Sequence, residues 1–352
     1  MATSSAPSST SSGWTIEDLY RVSVDPNLTP DQARQVQQAV ARQVHIPSNA
    51  GDDDDRLPAC WPWSSSPSPG GQKDHLLIAA MDISYPIDTT LDTAACLVLV
   101  RLDWPIPSNP NHTANVTKLH TIIQRHPPPR FPYIPGLLAF RELPPTLALL
   151  DELRSSQCWP APDLLLCDGQ GIAHPARCGI AAHLGVLTGL PSVGSAKSWF
   201  VGRPEEGGRC GDGDSDGDGD EGGAADEPSA APAETGSKLP RPAFKKGSNL
   251  GTERGARLPL FLPTSTFPDP PSQPRPRPEP AAYALRTQDG LNPIFVSPGH
   301  RLSTAQAADL VLALCTRYRL PDPIRWADQA SREALRVWAR ERDRTGQGTE
   351  SR

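Results

Sequence analysis

Short apolar runs that end in polar or charged residues recur along the chain. One run within residues 75–85 reaches Asp82, and residues 164–167 lead directly into Asp168. Residues 292–296 form a similar run. Such runs are too short for typical helices and carry little charge, which is typical of strands buried on both faces of a sheet. The pattern therefore predicts a sheet whose strands end in chemically useful side chains.

A further strand and several helices are predicted between these runs. Residues 97–102 are expected to pair with the strand before them as a β-hairpin on the edge of the sheet. Capping boxes, in which hydroxyl and Gln side chains bond the first backbone groups of a helix, occur at Thr29–Gln32 and Ser303–Gln306. Two more helices are expected at about residues 146–155 and 324–342. Residues 113–125 mix both signals and are left unassigned.

Composition divides the chain into one folded domain and several segments outside it. Residues 203–282 consist largely of Gly, Asp, Pro and Ser, and so little apolar surface predicts a disordered insertion. Residues 1–13 and 346–352 are predicted tails. A single α/β domain, a mixed β-sheet flanked by helices, is thus expected from residues 14–202 and 283–345.

Charge and cysteine content limit the class of protein. The net charge of -6 is concentrated in Asp52–Asp55 and residues 203–279, so the folded part is mildly basic. The seven cysteines form no CxxC pair and indicate reduced thiols, which predicts an intracellular protein of the cytoplasm or nucleus. No apolar run is long enough to predict a membrane span.

Four polar residues are candidates for a common site. Asp82 and Asp168 end strands, His300 follows one, and Glu142 precedes a helix. Hard divalent cations prefer carboxylate oxygens, and Mg²⁺ completes its shell with water and substrate phosphates. Carboxylates that converge from separate strands are typical of metal-dependent phosphodiester cleavage.

Five separated blocks then resemble the endonuclease V family. They are "MDISY", "PYIPGLLAFRE", "LLLCDGQGIAHP", "GSAKS" and "IFVSPGHR", in that order. The resemblance implies a ribonuclease H-like fold and a nuclease that uses Mg²⁺, with Mn²⁺ as a substitute. It further implies a monomer that acts on single-stranded RNA or DNA containing inosine or deoxyinosine. Cleavage is expected at the second phosphodiester 3′ to the lesion, leaving 3′-hydroxyl and 5′-phosphate ends, in nucleic-acid repair or inosine-RNA turnover.

The resemblance also implies roles for individual residues. The expected catalytic residues, of which the three carboxylates bind the metal, are Asp82, Glu142, Asp168 and His300. The expected wedge that enters the nucleic acid is Pro132, Tyr133, Ile134 and Pro135. Lys197 is expected near the scissile phosphate, and the pocket for the displaced base is expected at Leu138, Gly171 and Gly179. Without the resemblance, core packing would be the simpler interpretation of Tyr133.

Two alternatives stay open at this point. Another ribonuclease H-like nuclease, such as a junction resolvase, would explain the acidic residues but gives no reason for a wedge at Tyr133. A catalytically weak nucleic-acid-binding protein would have the fold without the turnover, although intact Asp82, Glu142 and Asp168 argue against it.

Overall fold

A computed structural model describes residues 14–47, 73–107, 109, 111–201, 204, 250–262 and 279–347. These residues form an eight-stranded mixed sheet with helices on both faces. The strands are β1 His75–Ser84, β2 Thr93–Asp103, β3 Val116–His126, β4 Leu164–Asp168, β5 Ser192–Ala196, β6 Arg257–Leu260, β7 Ala282–Leu285 and β8 Ile294–His300. The helices are α1 Ile16–Ser23, α2 Pro30–Ala41, α3 Ala139–Ser155, α4 Ile180–Thr188, α5 Thr304–Leu314 and α6 Asp322–Gln347. The predicted α/β class is confirmed.

The strand order places two acidic strand ends side by side. The sheet runs β3-β2-β1-β4-β5-β8-β7-β6, with β1, β4 and β5 parallel to one another. Carboxyl ends of neighbouring parallel strands lie at one edge of a sheet, where α/β proteins place their sites. The expected hairpin of β1 and β2 forms, but neither strand is outermost in the sheet, because residues 116–126 form β3 and pair with β2. This is the stretch that the sequence left unassigned.

Alternation along β1 assigns its side chains to two separate cores. Leu77 and Met81 pack with α1 to α4 on one face, whereas Leu76 and Ala80 pack with α5 and α6 on the other. Successive side chains of a strand point to opposite faces. Asp82 therefore projects on the same side as Ala80, toward the face that α6 covers.

Helix α3 begins earlier than the sequence indicated. The expected start at Thr146 is wrong, because the Phe140 N–H already donates to the Leu137 carbonyl oxygen at 3.1 Å. Glu142 consequently lies inside the first turn of the helix instead of before it, and Pro144 and Pro145 are accommodated within the helix. The capping boxes at Thr29 and Ser303 are present as expected.

Part of the predicted insertion belongs to the sheet. The expectation that residues 203–282 are disordered is wrong for residues 250–262, because β6 pairs with β7 and Leu260 is buried. It is also wrong at the end of the segment, where Ala281 is buried and β7 begins at Ala282. Residues 250–262 contain four leucines and one phenylalanine, which the average composition of the long Gly-, Asp- and Pro-rich segment conceals. The Arg254 guanidinium also donates to the carbonyl oxygens of Thr287 and Leu312 and so supplies polar anchoring. Residues 205–249 and 263–278 lie outside the described part of the chain.

Removing the anchored segment should therefore cost stability. Deletion of residues 251–262 exposes apolar surface on β7 and abolishes the Arg254 bonds, so we expect the free energy of unfolding to fall by about 3 kcal/mol or more. For a domain of this size that is a fall in Tm of roughly 6–12 °C. A deletion of residues 215–235, which are rich in Asp and Gly, is the matched control. Equal Tm values for the two deletions would contradict a structural role of residues 251–262.

Candidate active site

Asp82 and Asp168 lie next to each other at the carboxyl edge of the sheet. The last paired residues of β1 and β4 are Met81 and Cys167, and each carboxylate follows directly after one of them. Met81 and Cys167 both belong to the core on the α3 side. By alternation, the two aspartates project together toward the opposite face, which is the face covered by α6.

The environment of Asp82 disfavours its negative charge. Burial raises the pKa of the Asp82 carboxyl to about 6, a hydrogen bond from Ser331 opposes that rise, and the charges of Asp168 and Asp328 add to it. The Ser331 hydroxyl donates to Asp82 Oδ2 at 2.7 Å, and the Ser84 hydroxyl lies 2.8 Å from Ser331 Oγ. Three acidic groups thus share one partly buried space, and a cation there would relieve their repulsion.

Lys197 supplies one positive charge to this space. It follows β5 at the same edge, and its Nζ lies 2.8 Å from Asp168 Oδ2. Burial opposes the charge of the ammonium group, but Asp168, Asp328 and Asp82 together raise the pKa of Lys197. The expected place of Lys197 near the scissile phosphate stays a prediction.

Two residues that the sequence did not indicate complete the surroundings. Asp328 lies on α6 one turn before Ser331, and its charge acts on both Asp82 and Lys197. It was missed because it lies within a charged helix, where an acidic residue usually faces solvent. Arg319 donates to the carbonyl oxygens of Lys197 at 3.0 Å and Pro293 at 3.2 Å, and so holds the backbone from which Lys197 projects.

Glu142 approaches the same strand end from the α3 side. Burial raises the pKa of the Cys167 thiol, and the charges of Glu142 and Asp168 raise it further. Glu142 is therefore within electrostatic reach of the end of β4. The structure brings this residue toward the site from the face opposite to the one on which Asp82 and Asp168 project.

His300 does not join the carboxylates. Since β8 is antiparallel to β5, His300 pairs with Ser192, whereas Asp168 is level with Ser195. Three residues of strand separate these levels by about 10 Å. The buried His300 ring instead accepts a hydrogen bond at Nδ1 from the His45 N–H at 3.2 Å. The expectation that His300 lies with the acidic residues is wrong, because the sequence does not show the direction of β8.

The acidic pair fits a divalent cation of the magnesium type. Among the residues described, no group of three or more His, Cys, Asp or Glu side chains is close enough to form a complete metal cage. Mg²⁺ does not require one, since it is usually held by one or two carboxylates, several waters and substrate phosphates. The repulsion between Asp82 and Asp168 is the observation that favours such an ion.

The loop before α3 presents an aromatic side chain to solvent. Tyr133 is 60% exposed between Pro132 and Pro135, so ordinary core packing does not account for it. Leu138 is 41% exposed in the same segment. Between them Gly136 has a φ of +84°, with the His174 ring packed behind it. The loop, whose Ile134 and Leu137 pack into the core on the α3 side, therefore presents a partly apolar surface to solvent.

Gly171 and Gly179 are required for close packing of the backbone. A Cβ atom on Gly171 would lie 2.0 Å from the Pro298 carbonyl oxygen, and one on Gly179 would lie 2.3 Å from the Gln170 carbonyl oxygen. The Gly171 N–H also donates to Ser297 Oγ at 2.7 Å. These close backbone contacts are enough to explain why both residues are glycine. The expected role of both residues in a base pocket therefore stays a prediction.

The mixed α/β sheet places an acidic pair beside a lysine, and carboxylates at such a site suit a hydrolase that acts on phosphodiester bonds with a metal ion. The family follows from sequence comparison. The sequence model described as Endonuclease V matches residues 66–215 and 271–329, and the chain belongs to the endonuclease V family. It is a family of generally metal-dependent nucleases.

Individual relatives support this assignment. Endonuclease V of Azotobacter vinelandii is 41% identical over 208 residues, which are 59% of this chain and 66% of that protein. The crystal structure of Endonuclease V from Streptomyces avermitilis is 29% identical with a TM-score of 0.55, covering 88% of this chain and 95% of the other. Ciona intestinalis Endonuclease V, solved with a 24mer DNA containing an inosine followed by a ribo-adenosine, is 23% identical and has a TM-score of 0.56. That alignment covers 87% of this chain and 98% of the Ciona chain, and it shows a shared fold.

None of the helices described above combines the length and the hydrophobicity that crossing a membrane requires.

Proposed function

We propose that this chain is a Mg²⁺-dependent endonuclease that cleaves inosine-containing RNA or deoxyinosine-containing DNA at the second phosphodiester 3′ to the lesion. The products carry 3′-hydroxyl and 5′-phosphate ends, Mn²⁺ substitutes for Mg²⁺, and a monomer acts on single strands. The observation that carries the proposal is the pair of Asp82 and Asp168 beside Lys197 at one sheet edge. The inosine-containing DNA bound to the Ciona relative supports the substrate class.

Each residue of the edge has a distinct task in this reaction. Asp82 and Asp168 hold the ion, which when bound supplies an activated water and stabilises charge on the phosphate. The Ser331 hydroxyl fixes Asp82 Oδ2 and so determines which oxygen of that carboxylate remains available. The Lys197 ammonium places a positive charge beside the phosphate, where it offsets negative charge that develops as the bond breaks.

The acidic groups on the flanking helices adjust this centre. Asp328 adds a negative charge on the α6 side, and Glu142 adds one on the α3 side. Both increase the attraction of the edge for cations. We assign Glu142 to cation binding and Asp328 to orienting the groups around Asp82.

The loop of Tyr133 is assigned to recognition. A base that is displaced from its stack leaves a gap that an aromatic ring can fill, and flanking prolines keep that ring in place. Leu138, with Gly136 and His174 behind it, forms the adjacent wall for the displaced base. RNA and DNA share this requirement, so the assignment holds for both.

Tyr133→Ala should weaken binding of inosine-containing strands without removing catalysis. Loss of one stacking surface is worth about 1–3 kcal/mol, which corresponds to roughly tenfold to a hundredfold in Kd. Duplexes should lose more affinity than single strands, because their base must first leave its stack. Binding is measured by gel shift with Ca²⁺ in place of Mg²⁺. Tyr133→Phe keeps the ring and is the matched control. Unchanged affinity of Tyr133→Ala for both substrates would contradict the wedge.

The experiment that tests the proposed function is a matched set of substrates. Single- and double-stranded DNA and RNA of one sequence, each with either inosine or adenosine at one position, are incubated with Mg²⁺, Mn²⁺, Ca²⁺ or EDTA. We expect cleavage of the inosine strands alone, and only with Mg²⁺ or Mn²⁺. Binding without cleavage in every condition would favour the alternative of a non-catalytic nucleic-acid-binding protein.

A further inference from the structure

Helix α6 carries a row of exposed arginines that the active site does not use. Arg332, Arg336, Arg340 and Arg344 follow one another at intervals of four residues, and all four are exposed. Side chains at this spacing lie along one ridge of a helix, inclined to its axis. The ridge, called here the arginine row, is about 18 Å long, since each residue adds 1.5 Å.

The row begins beside the active site. Arg332 Nε lies 2.7 Å from Asp328 Oδ1, and Asp328 is the acidic residue whose charge acts on Asp82. Ser331, the neighbour of Arg332, donates to Asp82 itself. The first member of the row thus pairs with an acidic residue whose charge acts on Asp82, and in the chain it directly follows the residue that bonds to Asp82.

From there α6 crosses the sheet toward its outer strand. The Arg125 guanidinium of β3 lies 4.4 Å from the centre of the Trp338 ring, and Arg125 also pairs with Glu341 at 3.8 Å. Arg125 is opposite Ala94, which is opposite Ser84 at the end of β1. The second half of α6 is therefore fixed at the edge of the sheet that carries Asp82.

The net charge of this surface is positive. Residues 328–344 contain five arginines against four acidic residues. Of these acids, Asp328 pairs with Arg332 and Glu341 is engaged by Arg125. Glu333 pairs with Arg336 at 3.2 Å, but both side chains are more than half exposed, and such ion pairs contribute little and exchange readily. Asp343 is the remaining acid. The family match ends at residue 329, so the whole row lies beyond it.

We propose that the arginine row binds the phosphate backbone of the substrate strand where it leaves the active site. A strand carries about one phosphate per 3.4 Å of helix axis, so a row about 18 Å long lies alongside several consecutive phosphates. Arginine suits this task, because its planar guanidinium remains charged and matches the geometry of phosphate oxygens. The choice of partner rests on the proposed function, which identifies the substrate as a nucleic acid.

The test measures the salt dependence of binding by the full chain. A triple variant, Arg336→Gln, Arg340→Gln and Arg344→Gln, is compared with a control triple, Arg21→Gln, Arg34→Gln and Arg154→Gln. The control removes the same charge from exposed arginines on α1, α2 and α3. Kd is measured for a labelled single strand of about 20 nucleotides without inosine, in EDTA, between roughly 50 and 200 mM KCl.

We expect the Arg→Gln triple variant of α6 to bind the strand roughly tenfold to a hundredfold more weakly than wild type. The slope of log K against log salt should become shallower by about 2, because each of the three lost phosphate contacts accounts for about 0.7. The control triple should match wild type. A triple of Arg→Lys at the same α6 positions should keep the slope, because lysine preserves the charge. Equal slopes for the two Gln triples, or an α6 Lys triple as weak as the α6 Gln triple, would overturn the proposal.

This outcome is independent of cleavage. The strand contains no inosine and the buffer contains no metal, so the slope reports only on contacts with the backbone. If the proposed function failed while the slope changed as expected, the chain would still bind nucleic acid through α6. If inosine-directed cleavage were observed but the slope did not change, only the proposed role of the arginine row would be excluded.

Discussion

Asp168→Asn should lower the single-turnover rate of cleavage of an inosine-containing strand by roughly 10³-fold or more. The substitution keeps the size of the side chain but removes the charge that binds the cation and pairs with Lys197 at 2.8 Å. Groups that stabilise charge in the transition state are worth about 10²–10³-fold each, and this residue also holds the ion. The rate is measured in Mg²⁺ with enzyme in excess over substrate. Asp82→Asn should behave in the same way.

Substrate binding separates this effect from a loss of structure. With Ca²⁺ in place of Mg²⁺, Asp168→Asn should bind the strand with an affinity near that of wild type, because the wedge loop is unchanged. Asp31→Asn, at an exposed position on α2, is the matched control for the change of charge. A cleavage rate of Asp168→Asn close to wild type would contradict the assignment of the acidic pair.

Asp328→Asn and His300→Gln should have opposite outcomes. Asp328 acts on Asp82 and Lys197, and loss of a group that orients metal ligands typically costs roughly 10- to 100-fold. His300 lies about three residues of strand away from the level of Asp168 and bonds to His45, so its substitution should leave turnover within about threefold of wild type. His300→Gln should instead lower the free energy of unfolding.

Both variants are compared by single-turnover cleavage and by urea denaturation. A strong loss of turnover in His300→Gln, at a stability equal to that of wild type, would contradict the position that the sheet gives to this residue. Wild-type turnover in Asp328→Asn would show that the charge on α6 has no part in the reaction.

Local sequence patterns were sufficient for several of the elements and for the acidic pair. The apolar run before Asp168 ends as β4, and the capping boxes at Thr29 and Ser303 begin α2 and α5. Each of these features depends on residues close together in the chain. The exposure of Tyr133 is different, because the local pattern favours core packing and only the family resemblance indicates an exposed wedge.

Features that depend on strand direction and helix placement could not be predicted in this way. The apolar run before His300 suggests a place beside the carboxylates. Because β8 is antiparallel to β5, however, His300 lies toward the amino end of β5, away from the strand ends that carry the carboxylates. Asp328 was missed because its contacts come from the way α6 crosses β1. The strand at residues 257–260 was not predicted, because its leucines are hidden in the average composition of a long polar segment and the Arg254 bonds to distant carbonyl groups do not appear in any composition.

The most direct test of the account is to map the products from two strands that differ at one base. Strands of identical sequence with inosine or adenosine at one position are incubated with Mg²⁺ and with either wild-type protein or Asp168→Asn. We expect wild type to cut only the inosine strand, at the second phosphodiester on its 3′ side, and to leave a 3′-hydroxyl and a 5′-phosphate. Asp168→Asn should leave both strands intact. Equal cleavage of the adenosine strand, or the same product from Asp168→Asn, would contradict an inosine-directed nuclease whose centre is Asp82 and Asp168.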